Sequence, residues 1–128
     1  MKSQQNKQSG EVLFICYKRC GTCRKAKKWL EDNSISYIER EIDKVPPTEE
    51  ELKNWIPLSN LPLKRFFNTS GQIYRSENIK DKLPNMSEDE QIKLLSTSGM
   101  LVKRPILIKD DTVLVGFKED EWTEKLLN

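Results

Sequence analysis

Two thiols dominate the chemistry available to this 128-residue chain, Cys20 and Cys23 in the run Cys20-Gly21-Thr22-Cys23. A third cysteine, Cys16, lies just upstream, and the chain contains no histidine. That absence excludes a Ser–His or Cys–His catalytic pair and removes the commonest transition-metal ligand. A C-x-x-C pair alone fits several chemistries. Zinc sites usually take two such pairs, or one pair with histidines. With only Cys16 left over, a tetrahedral zinc site would need carboxylates or a second chain, so no metal is expected. Two inert buried thiols are the other bland reading, because free cysteine is often buried.

The flanking sequence favours redox chemistry. Val12-Leu13-Phe14-Ile15-Cys16-Tyr17 is a continuous apolar run rich in β-formers, as in a strand buried on both faces. From Gly21 to Asn33, Ala26, Trp29 and Leu30 recur at helical spacing. Cys20 therefore falls at the start of a helix, where backbone N–H groups lack partners and the dipole favours negative charge. Both effects stabilise a thiolate. Cys23 lies one turn further on, within reach for a disulfide. Lys18, Arg19, Arg24 and Lys25 add positive charge nearby. This basic cluster would attract an anion such as glutathione or an oxyanion, whereas Lys27, Lys28 and Glu31 read as a solvated helix face. Cys16 sits inside the apolar strand and is expected to be an inert core residue. Trp29, Trp55 and Trp122 hold helical apolar positions and are expected in the core.

The elements that must position these groups follow from the pattern. Tyr37 to Ile42 alternates apolar and charged residues, giving a second strand parallel to the first. Pro46-Pro47 breaks the chain. Thr48 with Glu51, and Ser87 with Glu90, are capping boxes that open helices. Gly99 is placed to end the second of these. Between them, 62–83 holds one or two short helices, with a turn at Thr69-Ser70-Gly71-Gln72. Ile106-Leu107-Ile108 and Thr112 to Val115 flank a tight turn and read as a hairpin. Glu119 to Leu127 closes with an amphipathic helix. The expectation is an α/β, thioredoxin-like fold with a four-stranded mixed sheet, βαβ then ββα. An all-helical insert of about 46–100 separates strands 2 and 3. Residues 1–10 read as a flexible polar tail and 11–128 as a single domain.

Composition narrows the setting. Lys plus Arg is 22 against 20 acidic residues, a net charge of +2, which leaves no global footprint for nucleic acid or an acidic membrane. No apolar run approaches the ~20 residues that span a bilayer. The polar start lacks the apolar region of a secretory signal, so a cytoplasmic setting with reduced thiols is expected.

The segment CYKRCGTCRKA, with the later LVKRPILI and VLVGFKEDEW, resembles the arsenate reductase (ArsC)/Spx family of thioredoxin-fold proteins. The similarity covers nearly the whole chain after residue 10. It implies Cys20 as nucleophile, Cys23 as partner thiol and Arg104 facing the cysteine loop. Gly21, Thr22, Arg24 and Pro105 would complete an anion or thiolate loop, with the Arg104-Pro105 bond cis. True arsenate reductases use two further arginines to hold the oxyanion, and these align near Asn68 and Phe117. Neither side chain can replace a bidentate guanidinium. Arg65 and Arg75 lie close in sequence to the first. Cysteine at position 23, where glutaredoxin-dependent reductases typically have serine, resembles Spx-type members. Spx is a transcription regulator that binds the C-terminal domain of the RNA polymerase α subunit. This sequence has no clear match, around Ser59-Asn60-Leu61, to the Spx glycine used there, and no extended basic segment after its last helix.

The expected function is thiol–disulfide exchange through Cys20 and Cys23, with no bound cofactor. Glutathione or a thioredoxin/glutaredoxin system is the candidate electron donor, and a thiol or disulfide compound the partner. The alternatives are an Spx-like redox-sensing regulator that binds RNA polymerase and, third, an arsenate reductase.

Overall fold

The computed structural model describes residues 10–127. Four strands, β1 (Val12–Cys16), β2 (Ile38–Glu41), β3 (Ile106–Lys109) and β4 (Thr112–Val115), form one sheet in the order β2-β1-β3-β4. β1 runs parallel to β2, and the other two pairings are antiparallel. The expected mixed sheet is therefore present. The tail expected at 1–10 lies outside the described residues except for Gly10.

Alternation along the central strands separates two cores. Ile15, Ile106, Ile108 and Val113 face the helical insert. Val12, Phe14, Cys16, Leu107 and Leu114 face α1 (Gly21–Asp32) and α6 (Glu119–Leu127). Because β1 and β3 are covered on both faces, their apolar residues run without a polar break. Trp122 is fully buried at the centre of the second core, edge-on to Phe14, Trp29 and Phe117. All three tryptophans are buried, as their helical spacing predicts. Leu127, by contrast, is exposed.

The insert comprises α2 (Glu49–Ser59), α3 (Gln72–Ser76), α4 (Ile79–Lys82) and α5 (Glu88–Ser96), joined by 3-10 turns. Both predicted capping boxes form, at Thr48/Glu51 and Ser87/Glu90. Glu51 has a second role: it takes a bidentate pair from Arg40 at 2.8 Å on each oxygen. Arg40 also donates to the Val45 and Pro46 carbonyls, so one guanidinium fixes how the chain leaves β2 for the insert.

Gly99 differs from its expected part. α5 ends at Ser96, and Gly99 instead opens a 3-10 turn pressed against the loop after β2. A Cβ there would strike the Ile42 carbonyl oxygen and come within 2.7 Å of the Ile42 carbonyl carbon. The glycine is required by close backbone approach, not by helix termination. At Gly21, a Cβ would meet nothing within 4 Å. Gly99→Ala is therefore expected to lower stability by about 1–3 kcal/mol, as overpacking does. Gly21→Ala should stay within about 0.5 kcal/mol of wild type. Urea denaturation midpoints of the two variants check this contrast.

Candidate functional site

β1 ends in the buried core, and a tight turn carries the chain to α1. The Cys20 N–H closes this turn on the Tyr17 carbonyl at 3.0 Å, leaving Lys18 and Arg19 exposed. Cys20 is the N-cap of α1, with extended backbone, and its carbonyl accepts the first helical hydrogen bond from Arg24. Cys23 lies one turn inward and is 3 % exposed, because the face of α1 that packs on the sheet is Cys23, Ala26, Trp29 and Leu30. Cys20 remains half-exposed. The same helical turn thus presents one thiol to solvent and withdraws the other.

Their acidities diverge. Burial pushes Cys20 up, but the backbone N–H and thiol of Cys23, the Arg104 charge and the Thr22 N–H together bring it below the ordinary thiol value. The Cys20 side chain makes no capping hydrogen bond, so the helix end acts on it chiefly through the dipole of its free N–H groups. Cys23 is pushed well above the ordinary value by burial, despite the Tyr17 N–H that reaches its sulfur at 3.3 Å. The neighbouring Cys20 charge, and the hydrogen bond Cys23 gives to it, also keep its proton in place. Of the two sulfurs, the accessible one is the more acidic and the buried one holds its proton more tightly.

Arg104 precedes Pro105, and the peptide between them is cis. Its guanidinium lies over the Tyr17 ring, 4.9 Å from the centroid, and donates to the Val102 carbonyl at 3.4 Å. Its Nε is buried with no partner among the described residues. Pro105 is buried, and its carbonyl accepts from Gly116 at the end of β4. Gly21 and Thr22 are exposed beside Cys20. Arg24 turns the other way and donates to the Lys18 carbonyl at 3.3 Å. It borders a cleft of about 310 Å³ between α1 and β2, lined also by Cys16, Cys23, Lys27 and Glu39.

The ArsC family model matches residues 16–125, from the end of β1 through the cysteine loop, β2, the insert and the β3–β4 hairpin into α6. The chain belongs to the ArsC family. It is 54% identical to YusI of Bacillus subtilis (strain 168) over 113 residues, covering 88% of this chain and 96% of YusI. It is 31% identical over 110 residues to the global transcriptional regulator Spx 2 of Bacillus anthracis, covering 86% of this chain and 82% of that one. A crystal structure of a putative ArsC family related protein from Bacteroides fragilis superposes with a TM-score of 0.88 at 55% identity, covering 93% and 99% of the two chains.

Asn68 and Phe117, the positions expected from the resemblance to stand where arsenate reductases have arginines, both make structural contacts. Asn68 donates through its backbone to Leu101 at 2.7 Å and through its side chain to Met100 at 3.4 Å. Phe117 stacks edge-on against Trp122 at 4.8 Å and packs beside Trp29. Arg75 is exposed on α3, and Arg65 borders a separate cleft in the insert with Lys64, Tyr74 and Lys80. Neither arginine lines the cleft beside Cys23.

Two site neighbours escape the sequence pattern. Tyr17 reads as the last residue of an apolar strand, yet its ring carries Arg104 and its N–H holds Cys23. An aromatic three residues before a C-x-x-C is the available signal. Glu39 reads as the solvent side of a strand, yet it contacts Cys16. Iodoacetamide alkylation of Cys20 should show an inflection below the ~8.5 of a free thiol. Arg104→Met should move that inflection up, because it removes a charge that favours the thiolate. Rate against pH, followed by mass spectrometry, reads both.

Proposed function

We propose that this ArsC-family protein performs thiol–disulfide exchange with Cys20 as nucleophile and Cys23 as resolving thiol. The observation that carries this reading is the placement of two sulfurs one helical turn apart, one accessible at the α1 N-terminus and the other buried beneath it. The exposed thiol is the more acidic, and the buried one retains its proton. Attack on a disulfide needs a thiolate that the substrate can reach. Cys20 meets both requirements.

In the first step the Cys20 thiolate attacks one sulfur of a substrate disulfide. The Cys20–substrate bond forms, the substrate S–S bond breaks, and the other half leaves as a thiolate. Cys20 has then lost its charge, which removes one of the influences that kept the proton on Cys23, although burial still acts on it. Cys23 gives that proton to solvent or to the departing thiolate and attacks Cys20 Sγ. The Cys20–Cys23 bond forms and the second substrate thiolate leaves. The substrate disulfide is reduced by two electrons and the protein dithiol is oxidised by two. A thiol donor, glutathione or a thioredoxin/glutaredoxin system, returns the protein to the dithiol. Arg104 and the α1 N-terminus favour Cys20 both as attacking and as leaving sulfur. Gly21 and Thr22 leave room above it.

A redox-sensing regulator of the Spx type is the second reading, favoured by the 31% identity to a protein named as a global transcriptional regulator. It uses the same dithiol as a switch, with the C-terminal domain of the RNA polymerase α subunit as partner. Arsenate reduction stands third, because the aligned positions hold Asn68 and Phe117.

Equilibration in glutathione buffers should yield an internal Cys20–Cys23 disulfide in wild type, a glutathione adduct on Cys20 in Cys23→Ser, and neither in Cys20→Ser. Intact-mass and peptide analysis distinguish the three. Absence of both products in wild type would overturn exchange. Capture of the polymerase domain by one redox form only would favour the regulator, and capture by neither would remove it.

A further inference from the structure

Cys16 is the thiol that the exchange reaction does not use, and its surroundings are more specific than those of a filler in the core. Its S–H donates to Glu39 Oε2 at 3.3 Å. The other oxygen, Oε1, pairs with Lys27 Nζ at 3.0 Å. Glu39 comes from β2 and Lys27 from α1, so one carboxylate bridges the strand, the helix and the thiol. Burial and the Glu39 hydrogen bond and charge push Cys16 up to about 12, and Lys27 opposes them.

Cys16 is close to the resolving thiol. The Tyr17 nitrogen sits 3.3 Å from Cys23 Sγ. That nitrogen is two covalent bonds from Cys16 Cα, a span of about 2.4 Å, so Cys16 Cα lies within about 6 Å of Cys23 Sγ. Both thiols line the same cleft. Their closeness creates a competing reaction. In the oxidised protein a Cys16 thiolate could attack Cys23 Sγ. The Cys16–Cys23 bond would form, the Cys20–Cys23 bond would break, and Cys20 would leave as a thiolate. The Cys16 proton would pass to solvent base, with no net change in oxidation state. Low-pKa thiols leave fastest, so the helix end that makes Cys20 a good nucleophile also makes it the better leaving group for this side reaction.

We propose that Glu39 is a specificity-determining residue that confines exchange to Cys20 and Cys23 by holding the proton on Cys16. This inference rests on the dithiol reading above for its consequence, but the Glu39–Cys16 contact is independent of it. Glu39 acts through Cys16 and touches no substrate, so it is a positioning residue rather than a catalytic one. A three-cysteine chain thereby behaves as a two-cysteine one.

The test compares wild type, Glu39→Gln and Lys27→Met. Reduced proteins are alkylated at pH 8 under native conditions, and Cys16 labelling is followed by peptide mass spectrometry. Glu39→Gln is isosteric and should raise the Cys16 labelling rate several-fold, since each unit by which the thiol pKa falls multiplies its thiolate fraction about tenfold. Lys27→Met breaks the same ion pair but leaves the carboxylate charge beside the thiol, so Cys16 should label no faster than in wild type. A merely structural role would loosen the cleft in both variants, and acceleration in both would overturn the proposal. An unchanged Cys16 rate in Glu39→Gln would overturn it as well. In a second arm, diamide-oxidised proteins are mapped. Wild type should show Cys20–Cys23 alone, and Glu39→Gln should add Cys16–Cys23. The labelling arm uses reduced protein, so it decides the role of Glu39 independently. Failure of wild type to form Cys20–Cys23 would count against the dithiol reading alone.

Discussion

The candidate site depends on how the chain leaves a strand that is buried on both faces. β1 must end inside the core, because Phe14, Ile15 and Cys16 are all enclosed. The next residue must turn the chain without leaving its backbone groups orphaned. Tyr17 does this with its two main-chain groups. Its carbonyl accepts the Cys20 N–H, and its N–H is directed at Cys23 Sγ. The turn and the first turn of α1 are thus tied together through a sulfur. Cys20 is left at the helix end, where a negative charge is favoured, and Cys23 is left beneath it, where it is not.

The electrostatics of the three thiols follow from the placement of a few charges. Arg104, over the Tyr17 ring, favours a thiolate on Cys20. Cys20, once charged, disfavours one on Cys23. Glu39 disfavours one on Cys16. Desolvation acts on all three in the same direction, upward, so the difference between them comes from specific neighbours rather than from burial alone. Low dielectric makes each of these neighbours count for more than it would in water.

Membership of the ArsC family sets the scaffold, and the side chains set what is done on it. Asn68 is an amide engaged with the 3-10 turn, and Phe117 is an aromatic ring packed on Trp122. Phe117 is partly buried against this core, so it gains only part of the roughly 1.5–3 kcal/mol that full burial of such a side chain is worth. Phe117 adds to the core beneath α6 through Trp29 and Trp122.

The sequence by itself determined the order of elements, because hydrophobic period changes where structure changes. The unbroken run in β1 required two covered faces, and the capping boxes at Thr48 and Ser87 marked helix starts through local hydrogen bonds. Cys20 and Cys23 were legible for the same reason: helix N-termini and one-turn spacings are local properties. Contacts between distant segments were not. That Gly99 abuts the Ile42 carbonyl, that Arg40 clamps Glu51, and that Glu39 reaches across to Cys16 all depend on which strands and helices become neighbours. The same holds for Tyr17, whose ring meets Arg104 only after β1 and β3 pair. Residue types and spacing could name the dithiol. Only the tertiary structure could decide which sulfur carries charge, because that is a sum over groups brought together by folding.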